Sequence, residues 1–236
     1  ATSQGAEDSD VVYNVLTNDT QGADSATLTA AAVRAGNGSG SVSFQSNGQV
    51  TYDPTPGEVG TVLIDYTITD SDGDTSDATL TITLGSDSSP QPGSDSSSVD
   101  EAGLAVVGSS AGDGSDSTGG SVAFNLGNDS FGSVSLNGQG TYGTFTLSDA
   151  GVWTYTLSGA MTDVNQAGTA ETDSVTYTVT DSDGSTGQGT LTVTIVDDVP
   201  TAVDDATSQG AEDSDVVYNV LTNDTQVADS ATLTAA

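Results

Sequence analysis

The two ends of the chain are nearly identical copies of one sequence. Residues 1–31 read ATSQGAEDSDVVYNVLTNDTQGADSATLTAA, and residues 206–236 repeat them with one change, from Gly22 to Val227. Chance does not produce such a match, so either the chain is part of a tandem array or it carries a designed or terminal duplication. If the chain is part of a tandem array, the repeat constrains its architecture more than any local sequence pattern does. Because the second copy stops in mid-repeat at Ala236, we expect the natural protein to continue beyond both ends.

A weaker repeat lies inside this unit. Residues 64–84 (IDYTITDSDGDTSDATLTITL) align without gaps on residues 175–195 (VTYTVTDSDGSTGQGTLTVTI). The unit therefore contains two modules of about 100 residues, which is an ordinary domain size. We predict a first module over 1–86, a linker over 87–98, a second module over 95–197 and, over 198–236, a linker with the first strands of another copy of the first module.

Apolar and polar residues alternate with period two along most of the chain. Val175, Tyr177 and Val179 alternate with threonines, and Ile64 and Tyr66 repeat the pattern in the first module. Such alternation is typical of half-buried strands, and no stretch shows a helical period. With about seven short strands per module, the chain is predicted to be all-β, with tandem immunoglobulin-like sandwiches in a linear array. Besides a final hairpin in each module, strands are predicted over 11–16, 27–33, 41–45, 49–53, 104–107, 121–126, 131–136, 142–147 and 152–157.

The chain is strongly acidic. It has 34 Asp and Glu residues against one basic residue, Arg34, for a net charge of −33. Nucleic acid and anionic membranes bind basic patches, so neither is expected as a partner, and no apolar run is long enough to predict membrane insertion. Repulsion among so many carboxylates destabilises a folded state unless cations bind. A surface adapted to salt and specific divalent-cation binding are both compatible with this charge, and Arg34 is expected to pair with a surface carboxylate.

The residue types used in most catalytic sites are missing. Without His, Cys or Lys, acid–base catalysis would rest on carboxylates alone, as it does in glycoside hydrolases. Here the carboxylates fall in turns and linkers, so we expect no enzyme. A carbohydrate-binding adhesion module is an alternative, but the longest loop, 158–173, contains no aromatic residue. Trp153 alternates with Tyr155 and Leu157 and is expected in the core rather than on a sugar-binding surface.

Both modules carry motifs of known bacterial repeats. The second resembles a VCBS-type repeat, and the first resembles the related cadherin-like repeats. In the second module the matching motifs are DEAGL at 100–104, GVWTYTL at 151–157 and VTYTVTDSDGSTGQGTLTVTIVDDVP at 175–200. In the first module they are AED at 6–8, VLTND at 15–19, VTYDP at 50–54 and YTITDSDGD at 66–74.

This resemblance implies a function. Such repeats form the extender regions of giant RTX-type and biofilm-associated adhesins, which are secreted or held at the bacterial cell surface. It implies a structural spacer whose partners are the neighbouring repeats of the same chain, with calcium at the joints between them. Calcium takes six to eight hard oxygen ligands, which acidic linkers and turns supply. DSDGDTSD at 70–77 begins like a calcium loop but lacks the Gly and Glu of an EF-hand, and a plain hairpin turn also explains it.

Candidate ligands are carboxylates in the linkers, at module starts and in the DSDG turns. At the first joint they are Asp87, Asp95, Asp100, Glu101, Asp181 and Asp183. At the second they are Asp197, Asp198, Asp204, Asp205, Glu212 and Asp213. In a longer array Asp70 and Asp72 would take the same role beside Glu7 and Asp8. The predicted mechanism is stiffening, because one ion tied to two modules offsets the repulsion that bends the joint.

The repeated segment at the end of the chain leaves three alternatives. Residues 206–236 contain only the first strands of a module and cannot bury a core alone. The segment is disordered, it is donated to a sheet edge of another chain, or it completes residues 32–84 while 1–31 belongs to a preceding unit. Strand donation would make the protein the subunit of an extracellular filament, with other copies of the chain as partners.

Overall fold

The computed structural model describes residues 2–4, 8–161, 170–208, 210 and 214–228. Their regular structure consists of β-strands and three short 3₁₀ turns. The chain divides into two compact units, of which the first also takes up two loops from the second sequence repeat. The first unit comprises Ala1–Pro90, Leu126–Gly132 and Thr180–Thr186, and the second comprises Gln91–Asn125, Ser133–Val179 and Gly187–Ala236.

The first unit is built on two sheets. Its strands are β1 (Thr2–Gln4), β2 (Val11–Asn14), β3 (Thr27–Val33), β4 (Ser41–Phe44), β5 (Gln49–Asp53), β6 (Gly60–Thr69) and β7 (Thr75–Leu84). One sheet has the order β1-β7-β6-β3 and the other β2-β5-β4. The pairing of β1 with β7 is parallel, whereas β6 and β7 form the antiparallel hairpin that the sequence predicts.

Alternation in the β6–β7 hairpin places one face of each strand in the core. Ile64 lies opposite Leu80 in the register, and both are fully buried, as is Ile82. These residues form one hydrophobic cluster with side chains of the facing sheet, including Val50 and Tyr52. The DSDG segment closes the hairpin as a tight turn. The expected sandwich is therefore confirmed in this unit, and its core is mainly aliphatic, with Tyr52 and Tyr66 among the buried side chains.

The second unit has the same plan. Its strands are β8 (Asp95–Asp100), β9 (Ser117–Ser121), β10 (Phe131–Leu136), β11 (Gly143–Leu147), β12 (Val152–Leu157), β13 (Glu171–Asp181) and β14 (Thr186–Val196). One end each of β10, β13 and β14 extends into the two loops that belong to the first unit. One sheet has the order β10-β13-β14-β8, and the other β11-β12-β9. As in the first unit, the first strand pairs in parallel with the last, here over six residue pairs from Leu191↔Asp95 to Val196↔Asp100. The all-β, immunoglobulin-like fold class is confirmed.

Aromatic side chains fill the core of the second unit. Trp153 is fully buried, and its indole Nε1 donates a hydrogen bond to Asp95 Oδ2 at 2.9 Å. The ring of Phe145 lies 6.3 Å from that of Trp153 and 4.6 Å from that of Tyr155, centroid to centroid. The predicted core position of Trp153 is confirmed, and a role as an exposed sugar platform is excluded by its burial.

Two predicted strands of the second module are wrong. Residues 104–107 form turns, in which the backbone N–H of Gly108 donates to the carbonyl of Leu104 at 2.9 Å. In a strand, Leu104 and Val106 would lie on the same face. Here Leu104 is buried while Val106 is 92% exposed. The strand expected at 121–126 lies at Ser117–Ser121 instead. There Gly119 and Gly120 allow close packing, because a Cβ on Gly120 would lie 2.9 Å from Trp153 Nε1.

The single basic side chain pairs as expected. Arg34 Nη2 lies 2.5 Å from Asp65 Oδ1, and its Nε donates to Asp65 Oδ2 at 3.0 Å. Both side chains are about half exposed, so the pair contributes little to stability. In the described part of the chain, no helix has the length and apolar character needed to cross a membrane.

We expect Leu191→Ala to destabilise the second unit by about 2–5 kcal/mol, because Leu191 is fully buried and the truncation leaves a cavity. The chain has one tryptophan, and it lies in this unit, so its fluorescence in a urea titration reports this loss. Val152→Ala is the control, since Val152 is 53% exposed and its truncation should change stability by less than about 0.5 kcal/mol. Equal midpoints for the two variants would contradict the assigned core.

Candidate metal centre

The turn between β13 and β14 arranges two carboxylates. Asp181 Oδ1 accepts a hydrogen bond from Gly184 N at 3.1 Å, and Asp183 Oδ1 accepts one from Ser185 N at 3.0 Å. Each side chain thus uses one oxygen to close the turn. The second oxygen of each, Oδ2, is buried, and no N–H or O–H group of the described residues donates to it. Two buried anionic oxygens without a donor are costly unless a proton or a cation satisfies them.

Two further carboxylates come from distant parts of the sequence to the same place within the first unit. Carboxylate oxygens of Asp8, Asp129 and Asp183 all lie within 4.8 Å of one another. Asp8 Oδ1 accepts from Gly57 N at 2.9 Å, and Asp129 Oδ2 accepts from the Ser88 hydroxyl at 2.9 Å. Three carboxylates at this spacing match the oxygen-rich surroundings that hard divalent cations select.

Asp87 borders this cluster. Its Oδ2 accepts a hydrogen bond from the Ser185 hydroxyl at 2.8 Å, which ties it to the turn that carries Asp183. We call Asp8, Asp87, Asp129, Asp181 and Asp183 the acidic cluster. All five belong to the first unit, and the chain offers no basic residue other than Arg34 to neutralise them.

Asp181 and Asp183 shift the pKa of each other in opposite directions. Burial is the main cause that raises the pKa of Asp181, and the neighbouring Asp183 carboxylate raises it further. The adjacent Asp181 carboxyl, which can share its proton with Asp183, is the main cause that lowers the pKa of Asp183, and the Ser185 N–H adds to it. Two adjacent carboxylates with pKa values pushed apart hold a proton between them more readily than isolated ones. A bound cation would displace that proton and satisfy both oxygens.

A second cluster lies at the corresponding turn of the first repeat. Carboxylate oxygens of Asp24, Asp70 and Asp72 lie within 4.8 Å of one another. Asp70 Oδ1 accepts from the backbone N–H groups of Gly73 and Asp74 at 3.1 and 2.9 Å. The hydrogen bond with Asp70 raises the pKa of Asp72. This cluster is more open to solvent than the acidic cluster, since Asp24 and Asp72 are exposed.

The structure brings together some of the predicted ligands. Of the set at the first joint, Asp87, Asp181 and Asp183 lie in the acidic cluster, and Asp8 joins them. The other three have separate roles in the second unit: Asp95 accepts from Trp153, Asp100 caps a 3₁₀ turn by accepting from Ala102 N, and the buried Glu101 accepts from Met161 N.

The set predicted at the second joint does not converge among the described residues. Asp198 is buried, and it accepts from the Ser109 hydroxyl and backbone N–H and from Ala228 N. Asp197 is half-buried, whereas Asp204 and Asp205 are exposed. Glu7, Glu212 and Asp213 lie outside the described residues.

Sequence reasoning missed Asp24 and Asp129. Each stands in a Gly-x-Asp-Ser segment, GADS at 22–25 and GNDS at 127–130, shortly before β3 or β10. These two strands occupy equivalent edge positions beside β6 and β13, so the two segments approach the DSDG turns of their own repeats. Recurrence of Gly-x-Asp-Ser at matching places in both modules was the signal that could have identified them.

Two family models match the chain, one in each part of the sequence. Residues 87–197 match the model of the bacterial cadherin-like domain, and residues 1–83 match that of the bacterial Ig domain. Each match covers less than half of the chain. No curated protein matches the sequence. Together these matches indicate a repeat region of an adhesin-type protein, and the cadherin-like match falls on the second module.

The chain is similar to several solved structures, but at low sequence identity and with low TM-scores. An endo-fucoidan hydrolase of glycoside hydrolase family 107 is 12% identical, with a TM-score of 0.32 over 84% of this chain and 28% of its own. A protocadherin gammaB7 EC3-6 structure is 16% identical, with a TM-score of 0.30 over 76% of this chain and 42% of its own. The human desmocollin-1 ectodomain is 14% identical, with a TM-score of 0.31 over 83% of this chain and 39% of its own. The chain spans less than half the length of each, and none of these likenesses bears on function.

Glu58, in the loop that adjoins Asp8, is also held by hydrogen bonds. Burial alone would raise its pKa, but donors from Ser39, Tyr52 and Thr55 outweigh burial and hold the pKa below the ordinary value of 4.5. The carboxylate is therefore more strongly stabilised in the folded protein than in the unfolded one. This stabilisation is fully present above the ordinary value and is lost as the pH falls through the lowered, folded-state pKa.

Acidification below about pH 4.5 should thus destabilise the first unit more in the wild type than in Glu58→Gln. At pH 7 we expect the variant to be less stable by about 2 kcal/mol, because an amide leaves donors of the loop unpaired. Thermal melts between pH 7 and pH 3, followed by tyrosine near-UV circular dichroism, measure this. Asp53→Asn, at an exposed strand position, is the control. Parallel pH profiles for wild type and Glu58→Gln would refute the assignment.

Proposed function

We propose that the chain is an extender segment of a secreted or cell-surface bacterial adhesin, and that calcium bound at the acidic cluster stiffens it. The role is mechanical and not catalytic. The observation that carries the proposal is the pair of buried Oδ2 atoms of Asp181 and Asp183, which lack a hydrogen-bond donor among the described residues. One carboxylate oxygen each of Asp8, Asp129 and Asp183 lie within 4.8 Å of one another.

The ligand chemistry favours calcium over transition metals. The chain has no His and no Cys, so the softer nitrogen and sulfur ligands that zinc and copper prefer are absent. Calcium accepts irregular sets of carboxylates, carbonyls and water, whereas magnesium requires a nearly ideal octahedron. A cluster drawn from three chain segments, around residues 8, 129 and 183, suits the more tolerant ion.

Binding would tie separate chain segments together. Asp8 belongs to the first repeat, while Asp129 and Asp183 stand in the loops 126–132 and 180–186 that the first unit takes up from the second repeat. Without a cation, these carboxylates repel one another. One ion bound to all of them replaces repulsion by attraction, and the loops become fixed to the segment that carries Asp8. An extender needs this property, because a spacer that bends freely does not hold an adhesive end away from the cell.

Calcium should stabilise the wild type by about 2.7 kcal/mol at a concentration one hundred times its Kd. Asp183→Asn and Asp129→Asn should weaken calcium binding by about tenfold or more, as each removes one charged ligand. Isothermal titration calorimetry after chelator treatment measures the affinity. Asp149→Asn, in an exposed turn, removes the same charge and should leave the affinity unchanged. Equal affinities for Asp183→Asn and Asp149→Asn would overturn the site.

Stiffening has a separate test in small-angle X-ray scattering. We expect a larger maximum dimension in calcium than in chelator at equal ionic strength, because the ion restricts bending. Asp183→Asn should show little of this change at the same calcium concentration, whereas Asp149→Asn should behave as wild type. If the wild type binds calcium but its maximum dimension does not change, the ion stabilises the fold without acting on its stiffness, and the mechanical part of the proposal is wrong.

A further inference from the structure

Asp8 reaches the acidic cluster in a conformation that costs energy. Its φ is +50°, in the left-handed region that L-residues other than Asn and Asp seldom adopt. Its Oδ1 accepts a hydrogen bond from the backbone N–H of Gly57 at 2.9 Å. The position of Gly57 therefore sets the direction in which the Asp8 carboxylate points.

Gly57 lies against the cluster on a second side as well. Its own φ is +71°, and a Cβ built on it would lie 3.0 Å from Asp183 Oδ2. The loop that contains it closes on itself, with Glu58 N donating to Thr55 O at 3.0 Å. Gly57 thus donates a hydrogen bond to one carboxylate of the cluster, that of Asp8, and leaves no room for a side chain beside another, that of Asp183.

The Glu58 carboxylate fixes this loop to the body of the first unit. Its Oε2 accepts from Thr55 N at 3.0 Å and from Gly40 N at 3.1 Å, and its Oε1 accepts from Ser39 N at 2.7 Å. The Tyr52 hydroxyl donates to both oxygens, at 2.7 and 2.8 Å. Because Tyr52 is fully buried, the far end of this network is anchored in the core.

We propose that Tyr52 and Glu58 are positioning residues for the cation site, acting through Gly57 on Asp8. This inference rests on the proposed calcium binding. Neither residue belongs to the acidic cluster. The buried tyrosine holds Glu58, Glu58 holds the loop, and the loop presents the Gly57 N–H that orients Asp8. Groups that orient a ligand are known to control metal affinity without touching the metal.

The second unit contains a matched arrangement that provides a control. The Tyr155 hydroxyl donates to Asp173 Oδ2 at 2.9 Å. That carboxylate also accepts from Thr141 N, Tyr142 N and Gly143 N, at 2.8, 2.9 and 3.0 Å. Tyr155 and Tyr52 are equally buried, but Asp173 and the loop that it holds contribute nothing to the acidic cluster.

The test compares calcium affinity and metal-free stability for wild type, Tyr52→Phe and Tyr155→Phe. Each substitution removes one buried hydroxyl and no charge, so both should lower the melting temperature without calcium. Only Tyr52→Phe should weaken calcium binding, by about threefold to tenfold, measured by calorimetric titration of the full chain. Equal Kd values for the three proteins would overturn the inference while leaving the calcium site standing. A wild type that binds no calcium would overturn both.

Gly57→Ala gives a second test should Tyr52→Phe not fold. The network of Glu58 stays intact, but the added methyl would lie 3.0 Å from Asp183 Oδ2 and the backbone at φ +71° disfavours alanine. We expect calcium affinity to fall at least as far as in Tyr52→Phe. Gly60→Ala is the control, because Gly60 also has a positive φ but nothing lies within 4 Å of its added Cβ. Equal affinities for the two alanine variants would overturn the inference.

Discussion

A shortage of positive charge governs how this protein is held together. With one basic residue for 34 acidic ones, carboxylates must find other donors. Aromatic side chains of the cores supply several of them: Tyr52 to Glu58, Tyr66 to Asp19, Tyr155 to Asp173 and Trp153 to Asp95. Backbone N–H groups supply most of the rest. The pairs of Tyr52 and Tyr66 fasten the loops that carry Glu58 and Asp19 to the core of the first unit. Burial beside an anion raises the pKa of Tyr52 and of Tyr66 to about 12.

The acidic cluster stands out against this pattern. Elsewhere a buried carboxylate such as Asp173 has a donor for each oxygen, whereas Asp181 and Asp183 each keep one buried oxygen to which no described donor points. This difference in hydrogen bonding, more than the number of acidic residues, separates the proposed cation site from a solvated acidic surface. The exposed cluster of Asp24, Asp70 and Asp72 has the same residue types and lacks this feature.

Sequence was a good guide to the fold and a partial guide to the cluster. The alternation of apolar and polar residues located β6, β7, β13 and β14 and placed Trp153 in the core. A strand with one buried and one exposed face shows this period of two directly in its sequence. The alternation failed for β9, whose Ser, Thr and Gly residues carry no period, and for 104–107, where apolar residues form turns. The DSDG turns pointed to Asp181 and Asp183. Asp129 was not found, because its place depends on which strands are neighbours in the sheet.

The parallel pairing of first and last strands gives each domain a defined response to tension. In the second unit, β8 and β14 are joined over six residue pairs, and a force applied to the two chain ends would drag these strands past one another lengthwise. All hydrogen bonds between them then carry the load at once, instead of opening one after another as in a peeled hairpin. In the first unit β1 offers only three such pairs to β7. A pulled chain would therefore give way first where this ladder is shortest.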